Sequence, residues 1–189
     1  MDRPTVNADV RAVLASRRYR HVLMAVVIRS PIAADAPRLA EAWMEFGRYY
    51  EALDPTMFRI PDDEGLEGWI RNAVGGPSDE DRLWLVADID GTVQGYVQAE
   101  ISRPGPDARW ELLADLRQSV LRVLALFVFE GDRREGIATE LMRSAESWAK
   151  ERGATRAFLN TYAHSPSAVP FYEHGMGYSS DIVGYWKQL

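Results

Sequence analysis

One short polar turn carries the residues of this 189-residue chain that are best suited to bind an anion. The turn contains Arg133, Arg134 and Gly136, and an amphipathic segment follows it directly. The first N–H groups of a helix have no internal partner, and the helix dipole adds a partial positive charge there. Gly136 and Ala138 let an anion approach the backbone closely, and the two arginines add charges suited to phosphate oxygens. The turn therefore predicts a binding site for a diphosphate group.

Neither of two familiar nucleotide-binding motifs fits this turn. Gly131 and Gly136 have the spacing of the two glycines of a P-loop, but Ile137 and Ala138 stand where that motif has a lysine and a serine or threonine. No G-x-G-x-x-G fingerprint of a dinucleotide site occurs in the chain. The sequence thus indicates a diphosphate site of another kind.

The segments on either side of the turn are predicted to position it. Residues 120–129 are apolar apart from Arg122, as in a largely buried strand. Apolar residues recur at helical spacing after Gly136, and Gly153 stands where a helix often ends in a left-handed residue. The polar side of this helix carries Glu140, Arg143, Glu146, Lys150 and Glu151. The predicted order is therefore strand, tight turn and helix.

The rest of the chain is predicted to alternate strands and helices around this unit. Asp90-Gly91 is a strong signal for a hairpin between strands at 83–89 and 92–101. A strand at 157–162 is expected to pair in parallel with the strand at 120–129, because a helix connects the two. The remaining predicted elements are a strand at 24–29, helices at 34–53 and 62–74, a short helix at 167–174 and a final strand that ends near Trp186. The order β-α-α-β-β-β-α-β-α-β predicts an α/β (α+β) fold.

Two motifs in the second half of the chain resemble those of a known family. Arg133-x-x-Gly136-x-Ala138 is similar to the R/Q-x-x-G-x-G/A signature of the GNAT superfamily of N-acetyltransferases. Ala168-Val169-Pro170-Phe171-Tyr172-Glu173, followed by Gly177-Tyr178, is similar to the C-terminal motif of that family, A-x-x-F-Y-E-x-x-G-F/Y. At fold level the resemblance extends from about Met24 to Tyr185. It implies a GNAT-like mixed, mostly antiparallel sheet with a splayed parallel pair in its centre.

The resemblance also implies acetyl-CoA as the cosubstrate and gives roles to matching positions. The N–H groups of residues 134–139 would hold the pyrophosphate, and the backbone of Phe127 and Val128 would pair with the pantetheine arm. The Val128 N–H would serve as the oxyanion donor, and the Tyr172 phenol would protonate the leaving thiolate. Ser165 stands where many relatives have an asparagine that bonds the pantetheine. The implied cofactor-binding set is Phe127, Val128, Arg133, Arg134, Glu135, Gly136, Ile137, Ala138, Thr139, Ser165 and Tyr172.

The function implied by the resemblance is transfer of an acetyl group from acetyl-CoA to a primary amine, by direct attack in a ternary complex. The alternative is a non-catalytic acyl-CoA-binding sensor or regulatory module, which needs the turn but not Tyr172. The acceptor is a small-molecule or peptide amine, and a cationic acceptor is hypothesised because acidic residues crowd the first two helices. These acidic residues are Glu51, Asp54, Asp62, Asp63, Glu64 and Glu67. The candidate general bases are Glu51, Asp54, Glu64, Glu100 and Glu130, and none of them stands out.

Composition narrows the class of protein further. The net charge of -6 argues against a general nucleic-acid-binding protein. The absence of cysteine excludes disulfides, thiolate metal sites and a cysteine nucleophile. His164 and His174 have no carboxylate at ligand spacing, so no metal site is predicted. No apolar run is long enough to span a bilayer, and a cytoplasmic location is expected.

The domain organisation is predicted to be simple. Residues 1–23 are expected to be an N-terminal extension, either disordered or created by a misassigned start. Residues 24–189 are expected to form a single GNAT-like acetyltransferase domain. Homodimers are common in this family, and Tyr185 and Trp186 are candidate interface residues.

Overall fold

The computed structural model describes residues 25–77, 79–180 and 182–187, so the predicted extension at residues 1–23 lies outside the described residues. A five-stranded sheet with the order β1-β2-β3-β4-β5 forms the centre of the fold. The strands are β1 (Val27–Arg29), β2 (Arg82–Ile89), β3 (Thr92–Ser102), β4 (Val120–Val128) and β5 (Arg156–Leu159). Neighbouring strands pair antiparallel, except that β4 and β5 pair in parallel. The predicted mixed, mostly antiparallel α/β fold is therefore confirmed.

The helices follow the predicted order, with one shifted boundary. They are α1 (Ala36–Leu53), α2 (Leu66–Val74), α3 (Ile137–Glu151) and α4, a helical turn at Ala168–Pro170 that continues as a π-helical turn at Phe171–Gly175. The second helix begins at Leu66, and not at Asp62 as predicted. The Asp62 carboxylate accepts the Glu64 N–H in a local turn at 3.1 Å, and Gly65 adopts a left-handed conformation with φ 76°. This turn chemistry delays the start of the helix.

Helices cover both faces of the sheet. Successive residues of a strand point to opposite faces, and the two apolar clusters of the core divide accordingly. Ala87 and Val97 belong to the cluster that α3 covers, whereas Val86 and Tyr96 belong to the cluster that α1 and α2 cover. The sheet is therefore the middle layer of three, and its strand ends carry the candidate site.

The parallel pair is splayed, as predicted. Its register runs from Val120 opposite Arg156 to Val123 opposite Leu159. Beyond that point β4 continues to Val128 and pairs with β3, while the β5 ladder has ended. Among the described residues, the second half of β4 thus has no strand on its β5 side.

The prediction of a final strand is wrong for the described residues after Tyr178. Residues 179–180 and 182–187 have no regular structure, and Tyr185 and Trp186 are 92% and 86% exposed. An apolar pattern favours an extended backbone, but a strand also needs a neighbouring strand to bind its N–H and C=O groups. β5 is therefore the edge of the described sheet. The parallel pair lies at that edge and not at the centre, where the sequence placed it.

A buried ion network fastens the short β1 to its neighbours. The Arg29 guanidinium donates to both oxygens of Asp35 at 2.7 and 2.9 Å, and to one oxygen of Asp88 at 2.6 and 2.9 Å. Asp35 and Asp88 are only 7% and 9% exposed. Asp88 also accepts the Gly91 N–H, so Arg29 links β1 both to the start of α1 and to the β2–β3 hairpin. The hydrogen bonds from Arg29 hold the pKa of Asp35 below its ordinary value.

Arg29→Met is expected to lower the free energy of unfolding by about 3–5 kcal/mol at pH 7, because it leaves two buried carboxylates without their cation. Because the folded-state pKa of Asp35 is depressed, this stabilisation is present above the unfolded value of 3.8 and is lost as the pH falls through the folded value. The difference between wild type and variant should therefore shrink towards about pH 3. Urea unfolding at both pH values measures it.

Arg82→Met is the matched control for this prediction. It removes an exposed ion pair, in which the Arg82 and Asp79 side chains are 3.6 Å apart, and should change the stability little. An equal loss of stability in both variants would contradict a special contribution from the Arg29 network.

Candidate active site

The open edge of β4 is the first part of the candidate site. The Phe129 N–H donates to the Gln94 carbonyl, on the β3 side, at 3.1 Å. Because successive N–H groups of a strand point to opposite sides, the Val128 N–H points away from β3, towards the side of β5. The β4–β5 ladder has ended by then, since its last pair is Val123 and Leu159. This edge is therefore suited to pairing with an extended ligand, the role that the resemblance gives it for the pantetheine arm.

Gly95 on β3 contributes to the same strand end, and sequence analysis missed it. It faces Val128 across the ladder, and a side-chain carbon at this position would lie 2.5 Å from the Phe127 carbonyl oxygen. A glycine inside a strand often marks such a close approach of two backbones, and this signal was present in the sequence. The Phe127 side chain is 3% exposed and packs in the core below α1, so Phe127 offers a ligand only its backbone.

The predicted diphosphate turn has the backbone geometry of an anion site. Arg134 and Gly136 both adopt positive φ, of 69° and 84°. The first hydrogen bond at the start of α3 runs from the Glu140 N–H to the Gly136 carbonyl at 3.1 Å. The N–H groups of residues 137–139 therefore precede the helical ladder, at the positive end of the helix dipole. Left-handed residues beside helical ones form concave sets of N–H groups that bind anions.

The side chains of this turn divide between core and solvent. Ile137 is 1% exposed and packs among the residues that α3 covers. Ala138 and Thr139 are half-buried, whereas Arg134 and Glu135 are exposed. The turn can thus offer an anion its backbone N–H groups and the Arg134 guanidinium.

The Arg133 side chain makes contacts within the protein, and its predicted contact with a phosphate stays a prediction. Its Nε donates to the Val128 carbonyl at 3.0 Å, and its Nη2 lies 3.7 Å from a carboxylate oxygen of Glu45. The centre of its guanidinium also lies 5.3 Å from the ring centroid of Tyr49. Arg133 therefore folds back over the end of β4 towards α1. In this arrangement Arg133 donates to the Val128 carbonyl, and the resemblance pairs the backbone of Val128 with the pantetheine arm.

Ser165 belongs to a hydrogen-bond network that connects α1 to the start of α4. Its side chain is buried, and its Oγ lies 3.1 Å from the Tyr49 hydroxyl and accepts the Ala168 N–H at 3.2 Å. The Tyr49 hydroxyl also lies 2.6 Å from the Ser167 hydroxyl. The Ser165 hydroxyl thus holds the loop that precedes α4, and its predicted contact with pantetheine stays a prediction.

Tyr172 lies in the π-helical turn of α4 and faces a large cleft. Its ring packs against Phe171 at 5.2 Å and Tyr178 at 5.9 Å between ring centroids. Burial raises the pKa of the Tyr172 phenol well above its ordinary value, and the nearby Tyr50 phenol raises it further. Tyr172 therefore keeps its proton at neutral pH, as a hydrogen-bond donor must.

The cleft has a volume of about 1560 Å³ and runs along β5 and the loop that follows it. Four aromatic residues, Tyr50, Phe58, Tyr162 and Tyr172, line it, and Glu146 lines it from α3. Neither the turn at residues 133–139 nor Phe127 and Val128 line this cleft. The structure thus brings Tyr172 together with three other aromatic residues in one cleft, and places the predicted diphosphate turn outside that cleft.

None of the five carboxylates named as candidate general bases lines the cleft. Asp54 accepts the N–H and the hydroxyl of Thr56 at 2.9 and 2.6 Å, and the Tyr162 hydroxyl at 3.0 Å. These donors, those of Thr56 foremost, hold the pKa of Asp54 below its ordinary value. Glu100 lies near Arg122, with 3.9 Å between charged atoms, in a different part of β3 from Gly95.

Glu146 is a carboxylate of the cleft that sequence analysis missed. It is half-buried and accepts the Tyr178 hydroxyl at 2.9 Å. The helical pattern assigned it to the polar side of α3, which is ordinarily a solvated surface. No local signal distinguishes it from Glu140 or Glu151, because its position depends on where α4 and the segment after it pack.

The described part of the chain offers no candidate for two further classes of site. No group of three or more histidine, aspartate or glutamate side chains there could hold a metal ion. Over the same residues, no helix combines the length and the apolar character needed to cross a membrane.

Comparison with known proteins identifies a family. The model of the family described as "Acetyltransferase (GNAT) family" matches residues 40–178. This range contains the turn at 133–139, Ser165 and Tyr172. Comparison with curated proteins found no match.

Solved structures with the same fold have low sequence identity to this chain. A transcriptional regulator from Bacillus halodurans is 20% identical, with 87% of this chain and 100% of that chain covered and a TM-score of 0.66. A ribosomal-protein-alanine N-acetyltransferase from Brucella melitensis is 21% identical, with 87% and 99% covered and a TM-score of 0.61. An aminoglycoside acetyltransferase from an uncultured soil metagenomic sample, in complex with sisomicin, is 17% identical, with 87% and 96% covered and a TM-score of 0.55. At these identities the likeness shows the fold alone.

Proposed function

Because the chain belongs to the GNAT family of acetyltransferases, we propose that it transfers an acetyl group from acetyl-CoA to a primary amine, by direct attack within a ternary complex. The observation that carries this proposal is the open edge of β4, which leads into a turn with two left-handed residues at the start of α3. An extended chain that ends in a diphosphate is the kind of ligand that such an edge and turn fit together.

The residues present fit acetyl-CoA, which would supply the activated acetyl group. The N–H groups of residues 134–139 and the Arg134 guanidinium would hold the diphosphate. The Val128 N–H, directed to the open side of β4, would donate to the acetyl oxygen. For the Val128 carbonyl to pair with the pantetheine arm, the Arg133 side chain would have to leave it, since its Nε donates to that carbonyl at 3.0 Å.

Tyr172 would hold the proton that the departing sulfur needs. Its raised pKa makes it a weaker acid than a free phenol, so it would donate a hydrogen bond first and release the proton as charge develops on sulfur. The amine must also lose a proton, and Glu146 and Glu173 are the carboxylates that line the cleft. That proton would pass to one of them or to water.

Isothermal titration calorimetry with CoA, together with release of free thiol from acetyl-CoA over a panel of amines, tests this function. We expect CoA to bind and at least one amine class to give thiol release above hydrolysis. CoA binding without thiol release from any amine would favour the non-catalytic sensor. An absence of heat with CoA at millimolar concentration would contradict both the acetyltransferase and the sensor function.

A further inference from the structure

Three aromatic side chains form a continuous wall of the cleft beside Tyr172. The rings of Tyr50 and Phe58 lie 4.9 Å apart between centroids, and those of Phe58 and Tyr162 lie 5.3 Å apart at 87°. All three residues line the cleft. They come from α1, from the loop that follows it and from the segment after β5. The chain thus brings α1 and the loop after it together with the distant segment after β5 to make one aromatic surface, which we call the aromatic wall.

Hydrogen bonds fix the aromatic wall in place. The Tyr162 hydroxyl donates to Asp54 at 3.0 Å, and the Phe58 N–H donates to the Asp54 carbonyl at 3.0 Å. The Tyr50 hydroxyl lies 3.5 Å from the Thr161 hydroxyl. The loop after α1 is thereby tied to the end of β5. A surface held in this way loses little conformational entropy when a ligand binds to it.

The aromatic wall adjoins the phenol that the proposed function places at the sulfur. Tyr50 and Tyr172 line the same cleft, and the Tyr50 phenol is near enough to disfavour the charged form of Tyr172. The cleft therefore offers room, lined in part by Tyr50, for the rest of an amine that attacks a thioester beside Tyr172.

The charges around the cleft do not favour a polycationic acceptor. None of the six acidic residues that motivated the hypothesis of a cationic acceptor lines the cleft. Arg59 and Arg156 line it and offset Glu146 and Glu173. Asp54 does not line the cleft and already accepts the Tyr162 hydroxyl and two groups of Thr56. A polyamine or an aminoglycoside would meet two arginines as well as two carboxylates, so its several charges would be poorly matched when it gives up water.

From these contacts we infer that the acceptor amine is carried by an aromatic group that packs against Tyr50, Phe58 and Tyr162. Aromatic rings stack edge-on and offset against one another and gain more than their buried area alone provides. This inference rests on the proposed function, because it identifies the wall as the acceptor part of the acetyl-transfer site. It names the substrate class as arylalkyl primary amines.

The test compares 2-phenylethylamine with spermidine and sisomicin in the thiol-release assay, and measures binding of 2-phenylethylamine to the CoA-loaded protein by calorimetry. We expect kcat/KM for 2-phenylethylamine to exceed that for the other two amines at least about tenfold. Phe58→Ala should raise KM for 2-phenylethylamine about tenfold and leave CoA affinity unchanged. Phe58→Leu keeps most of the apolar volume, so its KM for 2-phenylethylamine should lie between the values for the wild type and for Phe58→Ala.

Ile60→Ala is the matched control, because Ile60 lies in the same loop, is 43% exposed and does not line the cleft. It should leave KM for 2-phenylethylamine unchanged. Acetylation of spermidine or sisomicin without use or binding of 2-phenylethylamine would overturn the inference and leave the proposed function intact. Phe58-dependent binding of 2-phenylethylamine without thiol release would overturn the transfer function and keep the wall as an aromatic-amine site. No binding of 2-phenylethylamine to the CoA-loaded protein overturns the inference in either case.

Discussion

Tyr172→Phe is expected to lower kcat about 100-fold while CoA affinity stays within about twofold. The substitution removes one hydroxyl and keeps the ring, so the packing of residue 172 against Phe171 and Tyr178 is preserved. What is lost is the proton donor for the departing sulfur, and general-acid catalysis of this kind contributes about 10²- to 10⁴-fold. Thiol release under saturating acetyl-CoA and amine measures kcat, and calorimetry measures CoA affinity.

Tyr178→Phe is the matched control for that substitution. Tyr178 has the same side chain, contacts the Tyr172 ring and donates its hydroxyl to Glu146 at 2.9 Å. We expect its loss to change kcat less than about threefold, because this hydroxyl is already bonded to a carboxylate and the amine's proton can still pass to Glu146, Glu173 or water. Equal losses in the two variants would mean that the cleft needs its tyrosine hydroxyls in general, and would remove the specific role of Tyr172 as proton donor.

The pH dependence of the wild type gives a second check on Tyr172. Burial raises its pKa above the ordinary value of 10.0, so the protonated, hydrogen-bonding form persists through alkaline pH. An acid with a raised pKa loses activity only as the pH rises through that raised value. We therefore expect no fall in kcat from Tyr172 up to pH 10. An alkaline limb near pH 8 to 9 that disappears in Tyr172→Phe would contradict a buried phenol.

Elements whose geometry depends on local chemistry could be predicted from the sequence. Asp90 and Gly91 adopt φ of 53° and 77°, as a two-residue hairpin turn requires, and the strands on both sides formed where expected. Gly153 ends α3 with φ 84°, the left-handed conformation predicted for it. In each case a residue type with few alternatives forces one backbone conformation, so the sequence alone is sufficient.

Features that depend on distant partners could not be predicted in the same way. The predicted final strand lacks a neighbour in the described residues, and an apolar pattern cannot supply one. Arg133 turns towards Val128 and Glu45, although its position in the motif suggested a phosphate. Glu146 enters the cleft only because Tyr178 packs beside it. The assignment of residues 127, 128 and 133–139, Ser165 and Tyr172 to the acetyl-CoA site stays a prediction, as does a homodimer through Tyr185 and Trp186.

Gly136→Val is the second substitution with a large expected effect, a rise of about 100-fold in the dissociation constant for CoA, which corresponds to about 2.7 kcal/mol. Gly136 has φ 84°, and a β-branched residue strongly disfavours that conformation. The backbone at residue 136 must therefore abandon the left-handed conformation. The N–H groups that precede the helical ladder of α3 then no longer converge on one anion. The loss of one or two charge-assisted hydrogen bonds, each worth about 1.5–3 kcal/mol, accounts for the expected size.

Gly153→Val separates this loss of affinity from simple destabilisation. Gly153 also has φ 84°, and a side-chain carbon added at either glycine meets no atom within 4 Å, so the backbone strain introduced at the two ends of α3 is the same. Both variants should lose similar stability in urea, whereas only Gly136→Val should lose CoA affinity. If Gly153→Val weakens CoA binding as much, the effect comes from destabilisation of α3 and not from the turn. If Gly136→Val binds CoA as tightly as the wild type, the diphosphate lies elsewhere, because a valine disfavours φ 84° and changes the direction of the N–H groups of this turn.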